Sequence, residues 1–369
     1  MKNLKYIFAG IAMIAIATAC NDGIDPISYV APGPDETPPV VSIKYPLQGT
    51  LIRVKEDLTP LTIQLEVTDD IEIQKVTVQL DGSEITSFSE FKDYRRLLGE
   101  YVHQNLTNGT HTLTVSATDL SGKSASKSVS FEKVEPYRPV YPGEVFYMPF
   151  DGDYLELISI TSATKAGTPG FAGAAVQGLN AYAGATDAYL TFPTAGLTGP
   201  AFSAVFWYKL KLNDPMPSYG HRAGILVIGP PDPANPTAMN NRKSGFRFFR
   251  EGNTVNQTFK LNVGNGTADN WFDGGATASL NPVTATGWVH MAFTISATEC
   301  AVYINGLPVK QGAFAGVSWT DCDILSIGSG APRFTGWSHL SDQSWIDELR
   351  LFNKALTQAE VQAIMNAEK

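Results

Sequence analysis

The chain of 369 residues carries 33 glycines, 23 prolines, 11 % aromatic residues and a formal net charge of −9. That length exceeds what one ordinary core serves, so two domains are expected, and the acidic balance argues against nucleic acid or anionic membrane as partners. Runs rich in Val, Thr, Tyr and Phe, punctuated by Gly and Pro, favour an all-β protein.

The N-terminus begins "MKNLK", followed by "YIFAGIAMIAIATA", an uncharged run too short to span a bilayer comfortably. It ends in small residues directly before Cys20. The segment resembles a bacterial lipoprotein signal, which implies a signal peptide over 1–19 and lipid on Cys20. Asp22 and Asp25 follow, and resemble the export signal of surface lipoproteins in Bacteroides-like bacteria. The expected location is the outer membrane, lipid-anchored and surface-exposed. No later stretch approaches 18 apolar residues, so the expected protein is anchored rather than spanning. In an oxidising envelope, Cys300 and Cys322 are expected to form one disulfide, with two buried free thiols as the alternative. Two cysteines and five scattered histidines give no zinc pattern.

Residues 20–37, rich in Pro, Gly and acid, read as a flexible tether. From 38 to 134 short alternating strands are separated by turn signals such as "LDG" and "TNGT", a spacing that suits a sandwich of about seven strands. The stretch "HTLTVSATDLSGKSASKSVSF" resembles the last strands of bacterial immunoglobulin-like domains, without a Cys…Trp…Cys core. Asp69, Asp70 and Asp119 suggest either a calcium site or turn-forming residues at strand ends, the latter being the simpler reading. Residues 135–143, "EPYRPVYPG", read as a stiff linker.

The second domain, 144–369, contains more than ten strand candidates, among them "VFYMPFDG", "FSAVFWYKLKL", "GFRFFREG", "WVHMAFTIS" and "WIDELRLF". This implies a large antiparallel sandwich or jelly roll. Trp207, Trp288 and Trp345 fall in strand patterns and are expected in the core. The helical signal is "TQAEVQAIMNAEK", where Thr357 and Glu360 form a capping box and Val361, Ile364 and Met365 share one face.

Five pieces stand in the order found in the laminin-G-like, concanavalin A-like jelly-roll family. "FYMPFDGD" resembles its opening strand, "GAAVQGLNAYAGATDAYLTFP" a following strand pair, and "FSAVFWYKLKL" its Trp-bearing strand. "GWVHMAFTISATECAVYINGLPV" is similar to its central hairpin and "WIDELRLFNKALTQAEVQAI" to its closing strand and helix. The resemblance implies carbohydrate or protein binding and a structural calcium.

The same superfamily includes β-glucanases, so catalysis has to be weighed. Glycoside hydrolysis needs two carboxyl groups about 5–5.5 Å apart for retention, or about 6.5–9.5 Å for inversion, facing one cleft. The spacing E-x-D-x-x-E does not occur, nor does G-x-S-x-G. Asp347 and Glu348 are consecutive, and strand alternation sends them to opposite faces unless a bulge intervenes. Asp347 then shares a face with Trp345, Leu349 and Leu351, and Glu348 with Ile346, Arg350 and Phe352. No catalytic residue is nominated. Glu348 and Arg350 are expected to form a surface ion pair of little weight. Asp347, among apolar neighbours, either accepts backbone N–H bonds or ligates a cation. The family resemblance implies a calcium held by Asp151, Asp153 and Asp347.

Sugar recognition uses an aromatic face beneath the ring and polar groups for the hydroxyls, carried on loops of a rigid scaffold. Residues 213–245 offer Tyr219, His221, Arg222, Asn240, Asn241 and Arg242. Residues 264–275 with 329–345 offer Trp271, Asp273, Arg333, Trp337 and His339. Trp271 and Trp337, in Gly/Asp/Ser-rich loops, are the principal candidates. The expected function is a non-catalytic cell-surface protein that holds polysaccharide or oligosaccharide for neighbouring glycan-uptake proteins. The alternatives are an adhesion or scaffold protein whose jelly roll binds protein, and a divergent glycoside hydrolase.

Overall fold

The computed structural model describes residues 33–369 apart from 215 and 217–219; the signal segment, Cys20 and Tyr219 lie outside the described residues. Two compact units divide the chain, one built from residues up to Ile52 with Leu58–Val134, the other from Arg53–Asp57 with Glu135–Lys369.

The first unit has strands β1 (Val40–Tyr45), β2 (Leu51–Ile52), β3 (Thr59–Thr68), β4 (Ile73–Leu80), β5 (Ser83–Phe88), β6 (Arg96–Leu106), β7 (Gly109–Asp119) and β8 (Ser124–Lys133). They form two sheets, ordered β1-β3-β6 and β2-β8-β7-β4-β5. Period-two alternation builds the core between them. Leu61, Ile63, Leu65 and Val67 of β3 meet Leu113, Val115 and Ala117 of β7. Asp81 and Gly82 both take positive φ (51° and 81°), as the turn joining β4 to β5 requires. Asp69 accepts the amides of Ile71 and Glu72, and Asp119 that of Lys123, so both serve as turn residues.

The second unit contains β9 (Glu144–Met148), β10 (Tyr189–Pro193), β11 (Phe202–Lys209), β12 (Ala223–Ile228), β13 (Phe246–Gly252) and β14 (Gln257–Gly264). These are followed by β15 (Asp269–Asp273), β16 (Val289–Ile295), β17 (Glu299–Ile304), β18 (Leu307–Ala313), β19 (Ile324–Ile327), β20 (Trp345–Phe352) and helix α1 (Gln358–Ala367). Two eight-stranded antiparallel sheets face each other. The front sheet runs from Thr164–Ala166 through β10-β19-β12-β13-β14 to β15, and the back sheet from Gly170–Phe171 through Tyr182–Ala183, β20, β11, β16 and β17 to β18. Phe202, Phe206, Phe246, Phe248, Phe259 and Phe293 fill the space between them. Outside the back sheet α1 buries Val361 and Ile364 against Val205, Tyr303 and Phe352. The capping box is formed, with Glu360 N–H donating to Thr357 and the Glu360 carboxylate accepting from the Thr357 amide. Outside the front sheet, Val227, Phe249 and Phe334 form a smaller cluster.

Two expectations change. The Cys300–Cys322 disulfide is not formed; both are free, buried thiols. Cys300 lies on β17 of the back sheet and Cys322 on the turn into β19 of the front sheet, each packed in the core as a small apolar group. Within 135–143, Tyr137 donates to Glu144 at 3.0 Å and the Tyr141 ring meets Phe352 at 6.4 Å, so this proline-rich run packs onto the second unit.

Candidate functional site

The outer face of the front sheet carries the site. Across β13, β14 and β15, Arg247, Asn262 and Trp271 stand in register and therefore share a face. Trp271 thus projects from a strand rather than from the loop that its Gly- and Asp-rich neighbourhood suggests. Trp337 comes from the 329–344 segment, which folds over this face and is pinned by Gly224 N–H to Leu340 O at 3.0 Å and Gly330 N–H to His339 O at 2.9 Å. The two indoles stack with centroids 5.6 Å apart and planes 19° apart. Phe249 meets Trp271 edge-on at 6.0 Å, and Phe334 meets Trp337 at 5.8 Å. Even so, Trp271 stays 40 % and Trp337 37 % exposed. The Arg242 guanidinium lies 4.4 Å from the Trp337 ring and 5.8 Å from Trp271, and its Nε donates to Asp269 at 3.1 Å. Two loop groups far apart in the sequence therefore converge on one surface.

Beside the indoles opens a cleft of about 400 Å³, lined by Asp232, Asn240, Asn241, Arg242, Lys243 and Asp269, among others. Asn241 is held by its side-chain bond to Pro231 O at 3.2 Å, and Asn240 by its amide bond to Asp232 at 3.2 Å. Beneath the cleft Arg247 is wholly buried and donates to the carbonyls of Ser244 (2.8 Å) and Asn241. Among the described residues it forms no ion pair, and burial pushes its guanidinium down to about 10. Its two bonds anchor the turn that carries Arg242 and Lys243. The Oδ1 of Asn240 remains without a partner.

The other candidates have different surroundings. Asp273 pairs with Lys260 at 2.8 Å, and Lys260 also reaches Glu251 at 2.6 Å. His339 is buried, stacked on Phe334 at 4.9 Å with Nε2 3.3 Å from Glu251, so it supports the platform from below. Its hydrogen bond, with Lys260, holds Glu251 down to about 2. Arg333 pairs with Asp323 at 2.6 Å, and His221 is buried with its carbonyl accepting from Arg250; neither joins the cleft. Trp271, Trp337, Asn241 and Arg242 do come together. Asp232, Lys243 and Asp269 join the cleft without being sequence candidates. Asp269 was accessible to inspection, since it lies two residues before Trp271 and a strand there puts both on one face.

The adjacent acids Asp347 and Glu348 behave differently from their expected alternation. Trp207 pairs with Asp347 while Val205 pairs with Arg350, so β20 contains one extra residue, and Glu348 takes φ 51°. This bulge puts both acids outside the back sheet, while Ile346 and Leu349 both enter the core. They are nonetheless buried, 0 % and 2 % exposed. Asp347 accepts the amides of Val176 (2.6 Å), Gln177 (3.3 Å) and Glu348 (3.1 Å), and burial still pushes it up to about 7. Glu348 accepts Tyr147 at 3.0 Å and Arg350 at 2.8 Å. Arg350 also binds Glu144 at 2.6 Å and Glu368 at 2.8 Å beneath the Tyr147 ring, so the expected surface pair is a buried cluster. These acids offer no open face to a sugar.

Nor do Asp151, Asp153 and Asp347 assemble as the implied calcium set: among the described residues no group of three or more His, Cys, Asp or Glu is placed to hold a metal ion. Asp151 accepts the amides of Leu179 (2.7 Å) and Asn180 (3.1 Å), while Asp153 accepts that of Leu155 and pairs with Arg53.

Fold and site together define an all-β protein of two sandwiches, the larger displaying an exposed aromatic platform. Residues 184–362 match the model of the concanavalin A-like lectin/glucanases superfamily, and residues 39–115 that of a bacterial Ig domain. The chain therefore carries a concanavalin A-like jelly-roll domain preceded by a bacterial immunoglobulin-like domain. Among solved structures it is similar to domain 4 of AbnA, a GH43 extracellular arabinanase from Geobacillus stearothermophilus, in complex with arabinotriose, at 20 % identity and TM-score 0.44, over 60 % of this chain and 98 % of that one. It is also similar to the receptor-binding domain of botulinum neurotoxin C/D mosaic serotype, at 11 % identity and TM-score 0.42, over 61 % of this chain and 51 % of that one. The botulinum neurotoxin type G receptor-binding domain gives 13 % identity and TM-score 0.40, over 61 % and 51 %. No curated protein matches the sequence.

Proposed function

We propose that the protein is a non-catalytic glycan-binding lipoprotein, anchored through Cys20 at the outer face of a bacterial outer membrane and holding polysaccharide for neighbouring uptake proteins. The stacked, exposed Trp271–Trp337 pair carries this reading. An aromatic face accepts the C–H face of a sugar ring, and the flanking Arg242, Asn240, Asn241 and Asp269 supply donors and acceptors for hydroxyls. The fold hosts several functions, so the site and not the architecture bears the weight. Support for the anchor comes from the segment before Cys20 and the acidic, proline-rich stretch after it.

Affinity electrophoresis and a glycan array with the chain from residue 21 onward test the proposal. Retardation by at least one polysaccharide is expected. Failure with every glycan, together with selective retention of an envelope protein, would replace it with a scaffold role.

A further inference from the structure

A second aromatic platform lies at the other edge of the same domain. Tyr154 and Phe171 stack with centroids 4.7 Å apart and planes 16° apart. Tyr154 is fixed by its hydroxyl bond to Gly170 O at 3.0 Å, and Phe171 by the pairing of Gly170–Phe171 with Tyr182–Ala183. Phe171 nevertheless keeps 39 % of its surface in solvent. Both rings line an open pocket of about 430 Å³ that also contains Asp153, Ser162 and Lys165. The composition repeats that of the first site, where a near-parallel aromatic pair is flanked by a cation and a carboxylate. Lys165 lies on Thr164–Ala166, the first strand of the front sheet, whereas Trp271 lies on β15, the last. At about 4.8 Å per strand, the strand that carries Lys165 and the strand that carries Trp271 are roughly 29 Å apart across the front sheet, while Phe171 lies on the first strand of the back sheet.

We propose that the Tyr154–Phe171 pocket is a second glycan subsite, in which a sugar ring packs on the exposed face of Phe171 with its hydroxyls toward Lys165 and Ser162. The ligand class rests on the function proposed above; the residues are independent of it. Two subsites on one rigid domain let a long glycan bind with avidity that a short one lacks.

Calorimetry on the chain from residue 21 onward, with a polysaccharide that the wild type binds and a short oligosaccharide cut from it, tests this with Phe171→Ala, the double variant Trp271→Ala/Trp337→Ala, and the triple variant. Unchanged melting temperatures establish that each variant is folded. Phe171→Ala is expected to weaken polysaccharide binding at least tenfold and to lower the oligosaccharide stoichiometry from two to one. The double variant is expected to keep a residual binding that the triple variant loses. Wild-type affinity and stoichiometry in Phe171→Ala, with all binding lost in the double variant, would overturn the second subsite and leave the first standing. The reverse pattern would remove the first site and keep the second. Phe171-dependent retention of a protein, with no glycan bound, would overturn the ligand class.

Discussion

The ring of Trp337 lies 5.6 Å from that of Trp271 and is inclined to it by only 19°. One indole is fixed by a strand and the other by a loop drawn across that strand's neighbours, so the pair exists only in the folded sheet. Both keep more than a third of their surface in water. Replacing either by alanine is therefore expected to leave the melting temperature nearly unchanged and to weaken glycan binding by tenfold or more. Calorimetry beside thermal unfolding measures both. Full binding in both variants would remove the platform from the site.

Among the described residues, Arg350 is the single cation paired with Glu144, Glu348 and Glu368. Arg350→Met strips the ionic partner from three buried carboxylates, at a cost of about 3–5 kcal/mol and a fall in melting temperature on the order of 10 °C. Adding Glu348→Gln is expected to recover part of the loss. A single variant as stable as the wild type would show that the carboxylates are already neutral.

Burial pushes both Asp347 and Glu368 up to about 7. A carboxyl that binds its proton more tightly when folded contributes stability that is complete below the ordinary carboxylate value near 4 and is lost as pH rises through the folded value. The melting temperature is thus expected to decline between about pH 5 and pH 8 at fixed salt, and Asp347→Asn to flatten the decline. An identical slope in the variant would clear Asp347 of this role.

Two free core thiols lead to a simple expectation. Reductant should leave the melting temperature unchanged, and Cys300 and Cys322 should react with a thiol reagent only after unfolding, since burial raises both, Cys322 to about 11. A reductant-sensitive melt would mean that the pair bridges after all.

Asp151 and Asp347 are occupied by backbone amides. A chelator is accordingly expected to leave thermal unfolding where it was, whereas a fall would mean that a cation shares these acids.

Local pattern carried a large part of the fold. The alternation in β3, the Asp81–Gly82 turn and the Thr357–Glu360 box depend on neighbours a few residues away, and each formed where the sequence places it. What depends on pairing between distant segments was not legible. Trp271 looks like a loop residue until β14 provides a partner, and nothing local puts Arg242 over Trp337. Trp288 and Trp345, both expected in the core, are only half-buried, with Lys209 and Lys211 over the Trp345 ring. Alternation misplaced Asp347 because the extra residue in β20 shows only against the register of β11. Arg350 looked like a surface cation for a related reason. The helix that covers it comes from beyond the strand, and two of its acids come from Glu144 and Glu368.

The bulge at Glu348 has an implication for chain length. Because the extra residue sits between two positions that already face outward and inward correctly, a strand lacking it would keep Leu349, Arg350, Leu351 and Phe352 on the faces they hold now. Glu348 is thus the one residue by which β20 exceeds its partner β11. Its deletion should keep the faces of the closing strand while removing a buried carboxylate that both Arg350 and Tyr147 bond, so the loss of stability would come from the cluster and not from the sheet.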